Sequence, residues 1–303
     1  MQTGTRGLFR ILQNRQAAFG LLIITCFIAF ALLASVIAPG DPMDFVDRPH
    51  RPPSTAHLFG TTGQGQDVFN QVAWGARSTL GVAFTVGVLT TLIGMAIGMT
   101  AGYLSGLADD LLTLLINLFL IIPGLPLMVV LASFLRPGPV AMIFVLTFTG
   151  WAWPARVLRS QTLALKEKDF VSASVVSGES TARIIFAEIL PNMTSLVVSS
   201  FIGSTTFAIA ASVALEFLGL GSVSRASWGV ILFWAQNNAA LLTGAWWTFV
   251  PVGLCMALVA FALTMINYGI DEITNPRLRA ALEASRVAQT HYTATPVLKH
   301  ASG

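Results

Sequence analysis

Six stretches of this chain are apolar and free of Asp, Glu, Lys, Arg and His: residues 19–38, 80–104, 111–135, the shorter 140–154, 196–215 and 247–268. No soluble core needs so many charge-free runs of this length. A hydrocarbon layer of about 30 Å needs about 20 apolar residues per helix to cross it. A backbone facing lipid must satisfy its own hydrogen bonds, so each run is expected to be a helix. Charged residues make up only 10% of the 303 residues and apolar ones 54%, whereas a soluble domain carries about a quarter charged residues. The reading is an all-α membrane protein of about six spans.

The first run follows Arg6, Arg10 and Arg15 and could pass for a secretory signal. It is longer than the ~7–15 residues of a signal's apolar region, so an uncleaved first span is expected. Residues 1–18 are then a cytoplasmic segment. Basic residues favour the cytoplasmic side of membrane helices. With six spans and the N-terminus inside, twelve Lys and Arg fall inside and five outside (Arg48, Arg51, Arg77, Arg136 and Arg225). Both termini are therefore expected in the cytoplasm. Residues 39–76 form a proline-rich outer segment, and residues 280–303 are expected to be a disordered tail. The net charge of +3 reads as span-flanking residues, and no nucleic-acid partner is expected. Cys26 and Cys255 both fall in apolar runs, which suits small buried hydrophobes better than a disulfide or a metal site.

In the second run Gly94, Gly98 and Gly102 recur every four residues, a spacing that lets helix backbones approach. Generic glycine enrichment in membrane helices explains it equally well. Pro123 and Pro126 interrupt the third run, and each removes a backbone donor. They mark a bending point or a fixed kink. Trp74, Trp151, Trp153, Trp246 and Trp247 lie near span ends, as an interfacial aromatic belt would place them.

The absence of ionisable groups within the runs bears on function. Carriers driven by protons or sodium need titratable or coordinating groups at membrane depth. Intramembrane proteases need buried catalytic pairs, and none is evident. Nor does the chain contain G-x-x-x-x-G-K-[ST], the phosphate cradle of nucleotide-binding loops. A transport role would draw its energy from a partner.

One inner connection, residues 156–192, is too long for a turn: "RVLRSQTLALKEKDFVSASVVSGESTARIIFAEILPN". Phe170, Ala173 and Val176 share one helical face, and Asp169, Ser172 and Ser174 lie elsewhere. Gly178 breaks the pattern before Ile184, Ile185, Ile189 and Pro191. A short helix, a glycine bend and a return to the membrane suits docking on a partner or lying on the bilayer surface.

This segment resembles the EAA loop of binding-protein-dependent ABC importer permeases, in which a Glu-Ala-Ala trio is followed by a glycine and a later leucine-proline. Ala173, Gly178, Ile189, Leu190 and Pro191 match; Ser172, Ser174 and Val175 depart. The block "HLFGTTGQGQDVFNQVAWGARSTLGVAFTVG" is similar to one in the C-type permeases of the dipeptide, oligopeptide and nickel family. There Gly60, Thr61, Gly65, Asp67, Gly75, Arg77 and Leu80 match, while Thr62 and Gln66 depart. "GWAWPARVLRSQTLAL", "EFLGLG", "SWGVIL" and "NPRLR" also resemble family blocks. The resemblance implies a six-span permease with a cytoplasmic coupling helix, in the inner membrane of a bacterium. It implies a second homologous permease, two ATP-binding cassette subunits that hold ATP and Mg, and an extracytoplasmic solute-binding protein. This chain would hold no cofactor, catalyse nothing and carry peptides or peptide-like solutes. Nickel, haem or another small solute is the alternative within the class, and an ion-coupled carrier lies outside it. The ATPase-coupling residues it implies are Asp169, Phe170, Ala173, Gly178, Arg183, Leu190 and Pro191.

Overall fold

A computed structural model describes residues 14–274. The tail at 280–303, the "NPRLR" block and most of the N-terminal segment lie outside the described residues. Among the described residues the chain is helical, with no strand beyond one isolated bridge between Thr61 and Asp67.

The helices are α1 (Arg15–Leu32), α2 (Ala34–Ile37), α3 (Val68–Tyr103), α4 (Leu107–Ile121), α5 (Gly124–Phe134) and α6 (Pro139–Gly150). They continue as α7 (Ala152–Lys166), α8 (Asp169–Val176), α9 (Thr181–Arg183), α10 (Thr194–Phe217), α11 (Trp228–Asn237) and α12 (Val250–Thr274). Five helical stretches are long and apolar enough to cross a membrane, and a sixth arises if α4 and α5 form one broken span.

The helices overrun the apolar runs that mark them in the sequence. α3 has 36 residues, about 54 Å at ~1.5 Å per residue, so it projects well past a ~30 Å hydrocarbon layer. Its start at Val68 is fixed by Asp67, whose Oδ1 accepts the Asn70 N–H at 3.0 Å. Because the helices are longer, Arg77, Asp109, Arg156, Arg159, Lys166 and Glu216 now fall within them. Glu216 turns inward, and its Oε2 accepts the Ser227 hydroxyl at 2.7 Å, joining the end of α10 to the start of α11.

α3 is the central strut. It packs along α7 and α10 and meets α1, α6 and α4. The glycine spacing does create close approach. A Cβ at Gly94 would lie 2.9 Å from the Ala155 backbone nitrogen, and one at Gly102 would lie 2.7 Å from the Arg159 carbonyl. At Gly98 it would run into the Ala155 carbonyl. The third run breaks where its prolines predict. α4 and α5 meet at 88°. Ile122 takes an extended backbone, φ −66°, ψ 128°, as a residue preceding proline tends to. Pro126 sits in the first turn of α5, where no intrahelical donor is needed.

Residues 39–67 have no helix but are pinned to the bundle. The Trp74 indole N–H donates to the Ala38 carbonyl at 3.0 Å, and Trp247 donates to the Thr61 carbonyl at 3.2 Å. The buried Gln66 accepts from Gln71 at 2.6 Å and donates to the Met43 carbonyl at 3.0 Å. Trp151 departs from the aromatic belt, since it is 5% exposed and packs on Phe119 at 5.0 Å. Cys26 is exposed rather than buried.

Candidate coupling site

The loop between α7 and α10 is built on the Tyr103 end of α3. Val171, Ile184, Ile185, Ile189 and Met193 pack against Met99 of α3 and Leu158 of α7. Burying each such aliphatic side chain contributes about 1.5–3 kcal/mol. The loop is therefore anchored to two membrane helices rather than tethered loosely between them. Beneath it, the Lys166 ammonium donates to the Ser105 hydroxyl at 2.9 Å and stands 5.7 Å from the Tyr103 ring centre. Arg159 of α7 grips Asp109 of α4 through two nitrogens, at 2.9 and 3.0 Å. Asp109 also lies in the first turn of α4, where a carboxylate complements the helix dipole.

α8 follows a one-residue extended step at Lys168. Asp169 stands in its first turn, again on the favourable side of the dipole. Val171 is the one buried residue of α8. Phe170 and Ala173 are exposed, Val175 is half-exposed, and Val176 is 89% exposed. The helix thus hangs from a single buried valine and turns an apolar face outward.

The end of α8 shows why a glycine is needed. The Gly178 N–H donates to the Val175 carbonyl at 3.0 Å, and the Glu179 N–H donates to the Ser174 carbonyl at 3.2 Å. These two crossed bonds form a Schellman cap, which requires a left-handed residue at its turn. Gly178 supplies it with φ +77°. Ser180 then restarts the helix, its Oγ accepting the Arg183 N–H at 3.4 Å.

The following residues, Ile184–Ile189, are wound as a π-helix and Leu190–Met193 as a 3-10 helix. Pro191 accounts for the irregularity. It has no N–H to give the carbonyl four residues earlier, and its ring would crowd that carbonyl. The ladder is re-registered to pass it, in the manner of π-bulges at functional sites.

Of the residues singled out in the sequence, Asp169, Phe170 and Ala173 share the exposed helix and Gly178 forms its bend. Arg183 instead pairs with Glu179 at 2.9 Å, an exposed i,i+4 contact worth a few tenths of a kcal/mol. Leu190 is half-buried against the anchoring cluster, and Pro191 lies in the return segment. They form the base of the loop, away from the exposed face. The sequence reading did not identify Val171 or Met193, because anchoring shows only when residues distant in sequence come together. The arrangement fixes an exposed apolar helix to α3 and α7 through one buried cluster.

Comparison with known proteins is in keeping with this geometry. Residues 94–280 match the family model described as "Binding-protein-dependent transport system inner membrane component". Residues 5–53 match the "N-terminal TM domain of oligopeptide transport permease C". The dipeptide transport system permease protein DppC of Bacillus subtilis is 32% identical over 272 residues, covering 89% of this chain and 84% of that protein. The oligopeptide transport system permease protein OppC of the same organism is 30% identical, covering 90% and 89%. A putative peptide permease protein of Brucella suis is 33% identical, covering 88% and 89%. Among solved structures, an inward-facing MetNI methionine ABC transporter superposes with a TM-score of 0.53 at 20% identity, over 66% of this chain and 96% of that one. That likeness speaks to the fold. With these matches the chain belongs to the binding-protein-dependent transport system inner membrane components, the multi-pass permease subunits of ABC importers.

Proposed function

We propose that this chain is the permease subunit of an ATP-driven importer for peptides or peptide-like solutes, and that residues 169–191 take up the stroke of a partner ATPase. The observation that carries this is the α8 hairpin. An exposed apolar helix is braced by a Schellman bend on one side and by a buried valine on the other. Such a lever passes movement of a docked partner to the membrane helices as a rigid-body shift. The names of the relatives, which are dipeptide, oligopeptide and peptide permeases, support peptides over nickel or haem as the cargo.

In this reading the coupling loop and both termini are cytoplasmic, in the inner membrane of a bacterium. A second permease of similar fold completes the channel, two ATPase subunits bind ATP and Mg, and a binding protein delivers solute from outside. The chain itself is not catalytic and holds no cofactor. Asp169, Phe170, Ala173 and Gly178 form the contact, Arg183 braces the bend, and Leu190 and Pro191 set the base.

The test is cross-linking in the assembled complex. With Cys26 and Cys255 replaced, Asp169→Cys or Val176→Cys should cross-link to the ATPase subunit, in a manner sensitive to nucleotide. Labelling of these positions by lipid-soluble reagents alone would refute the contact.

A further inference from the structure

The motif blocks around Arg77 and around Trp228 have no part in coupling, yet the fold brings them together. Between them lies a cavity of about 400 Å³ whose wall includes Asp41, Trp74, Arg77, Ser78, Ser224 and Arg225. Arg77 projects from α3 with its guanidinium 5.7 Å from the Trp74 ring centre. Arg225 comes from the connection between α10 and α11. Among the described residues neither guanidinium has a carboxylate within ion-pair distance, although arginines elsewhere do, such as Arg51 with Asp47 and Arg159 with Asp109. Asp41 offsets one of the two charges and is engaged locally, its Oδ1 accepting the Met43 N–H at 2.8 Å. Glu216 lines the adjoining cleft with Ser78 and Arg225, and its Oε2 accepts the Ser227 hydroxyl. The lining of the cavity itself carries two arginines against one carboxylate.

The walls are built in advance. Gln71 donates to the Pro42 carbonyl at 3.2 Å, and Trp74 donates to the Ala38 carbonyl; together they hold the Asp41 side. On the other side, the Trp228 backbone N–H donates to Thr79 Oγ1 at 3.1 Å, and its indole donates to the Val72 carbonyl at 3.2 Å. These bonds seat the segment carrying Arg225 on α3. Helix α3 and the connection between α10 and α11 thus present two guanidinium forks and two hydroxyls around one opening.

Position selects the partner. Arg77 and Tyr103 lie on the same unbroken α3, separated by ~39 Å at ~1.5 Å per residue. The cavity therefore sits at the end of the strut opposite the coupling loop, one membrane thickness away. A transport system that depends on a binding protein must receive that protein on this end if the ATPase occupies the other. Guanidinium forks match carboxylates in a two-pronged geometry, and charges at an interface rim set on-rate and specificity.

We propose that this cavity is a docking socket for an acidic side chain of the extracytoplasmic binding protein, held between Arg77 and Arg225. The proposal rests on the importer reading above. The test uses the complete importer in proteoliposomes, with its cognate binding protein titrated while stimulated ATP hydrolysis and solute uptake are followed. Arg77→Glu with Arg225→Glu should weaken the apparent affinity for the binding protein on the order of tenfold. The loss should be greatest at low salt, and Arg77→Lys with Arg225→Lys should recover most of it. Co-purification of the ATPase subunits establishes assembly; if the Glu pair does not assemble, Arg77→Gln with Arg225→Gln replaces it. An unchanged affinity in an assembled complex overturns the socket, as does weakened uptake with no change in the binding-protein titration, the result expected of a lipid-headgroup site. A wild-type complex that ignores the binding protein altogether overturns the importer reading instead.

Discussion

Gly178 is the residue on which the end of α8 turns. A Cβ built there meets nothing within 4 Å, and φ is +77°, so substitution is penalised by backbone conformation alone. The left-handed region costs an ordinary L-residue about 1–2 kcal/mol. Gly178→Leu should therefore shift the end of α8 out of its cap, and solute uptake together with binding-protein-stimulated ATP hydrolysis should fall steeply. Gly178→Asn, which tolerates that region better, should retain more of both. Wild-type uptake by Gly178→Leu would remove the bend from the mechanism. The glycine itself was legible, because it stops an apolar period that resumes at Ile184. The exposure of Val175 and Val176 was not, since a helical face seen in sequence does not say which side meets the protein.

At the scale of elements, the joint between α3 and α7 is the place where helix backbones approach each other through glycines. Gly98→Ala drives a methyl group into the Ala155 carbonyl and should destabilise the protein by about 1–3 kcal/mol, as overpacking does. Gly81 lies on the same helix with open space around it, so Gly81→Ala should be neutral or stabilising by about 0.5–1 kcal/mol. Thermal unfolding in detergent separates the two, and equal behaviour would contradict the packing account. The clasp of Asp109 with Arg159 ties α4 to the same joint. Its side chains are 20% and 24% exposed and its contact is two-pronged, so a double-mutant cycle with Asp109→Asn and Arg159→Gln should give a coupling of about 1 kcal/mol. Additive effects would reduce the clasp to an incidental contact.

The elements also show what hydropathy can report. It marks the lipid-facing middle of a helix, so α3 was recognisable at residues 80–104 while its polar start, with Asn70 and Gln71, was not. α11 escaped for the same reason, being short and lying between apolar runs. The 88° break between α4 and α5 was legible because proline acts on its own backbone and on the residue before it. The buried Gln66 departs from the family block yet fits its place, since Gln71 and the Met43 carbonyl satisfy it.

For the whole molecule, the central claim is dependence on an external energy source. The bundle offers lipid an apolar exterior, with Phe19, Leu22, Leu114 and Phe134 all exposed. The most direct measurement is accumulation of a radiolabelled dipeptide in proteoliposomes. The second permease, the binding protein and this chain would be present throughout, with the ATPase subunits supplied or withheld. Accumulation against the gradient should require the ATPases and ATP, and should vanish without either. Uphill uptake by this chain with no hydrolase in the vesicle would contradict the account.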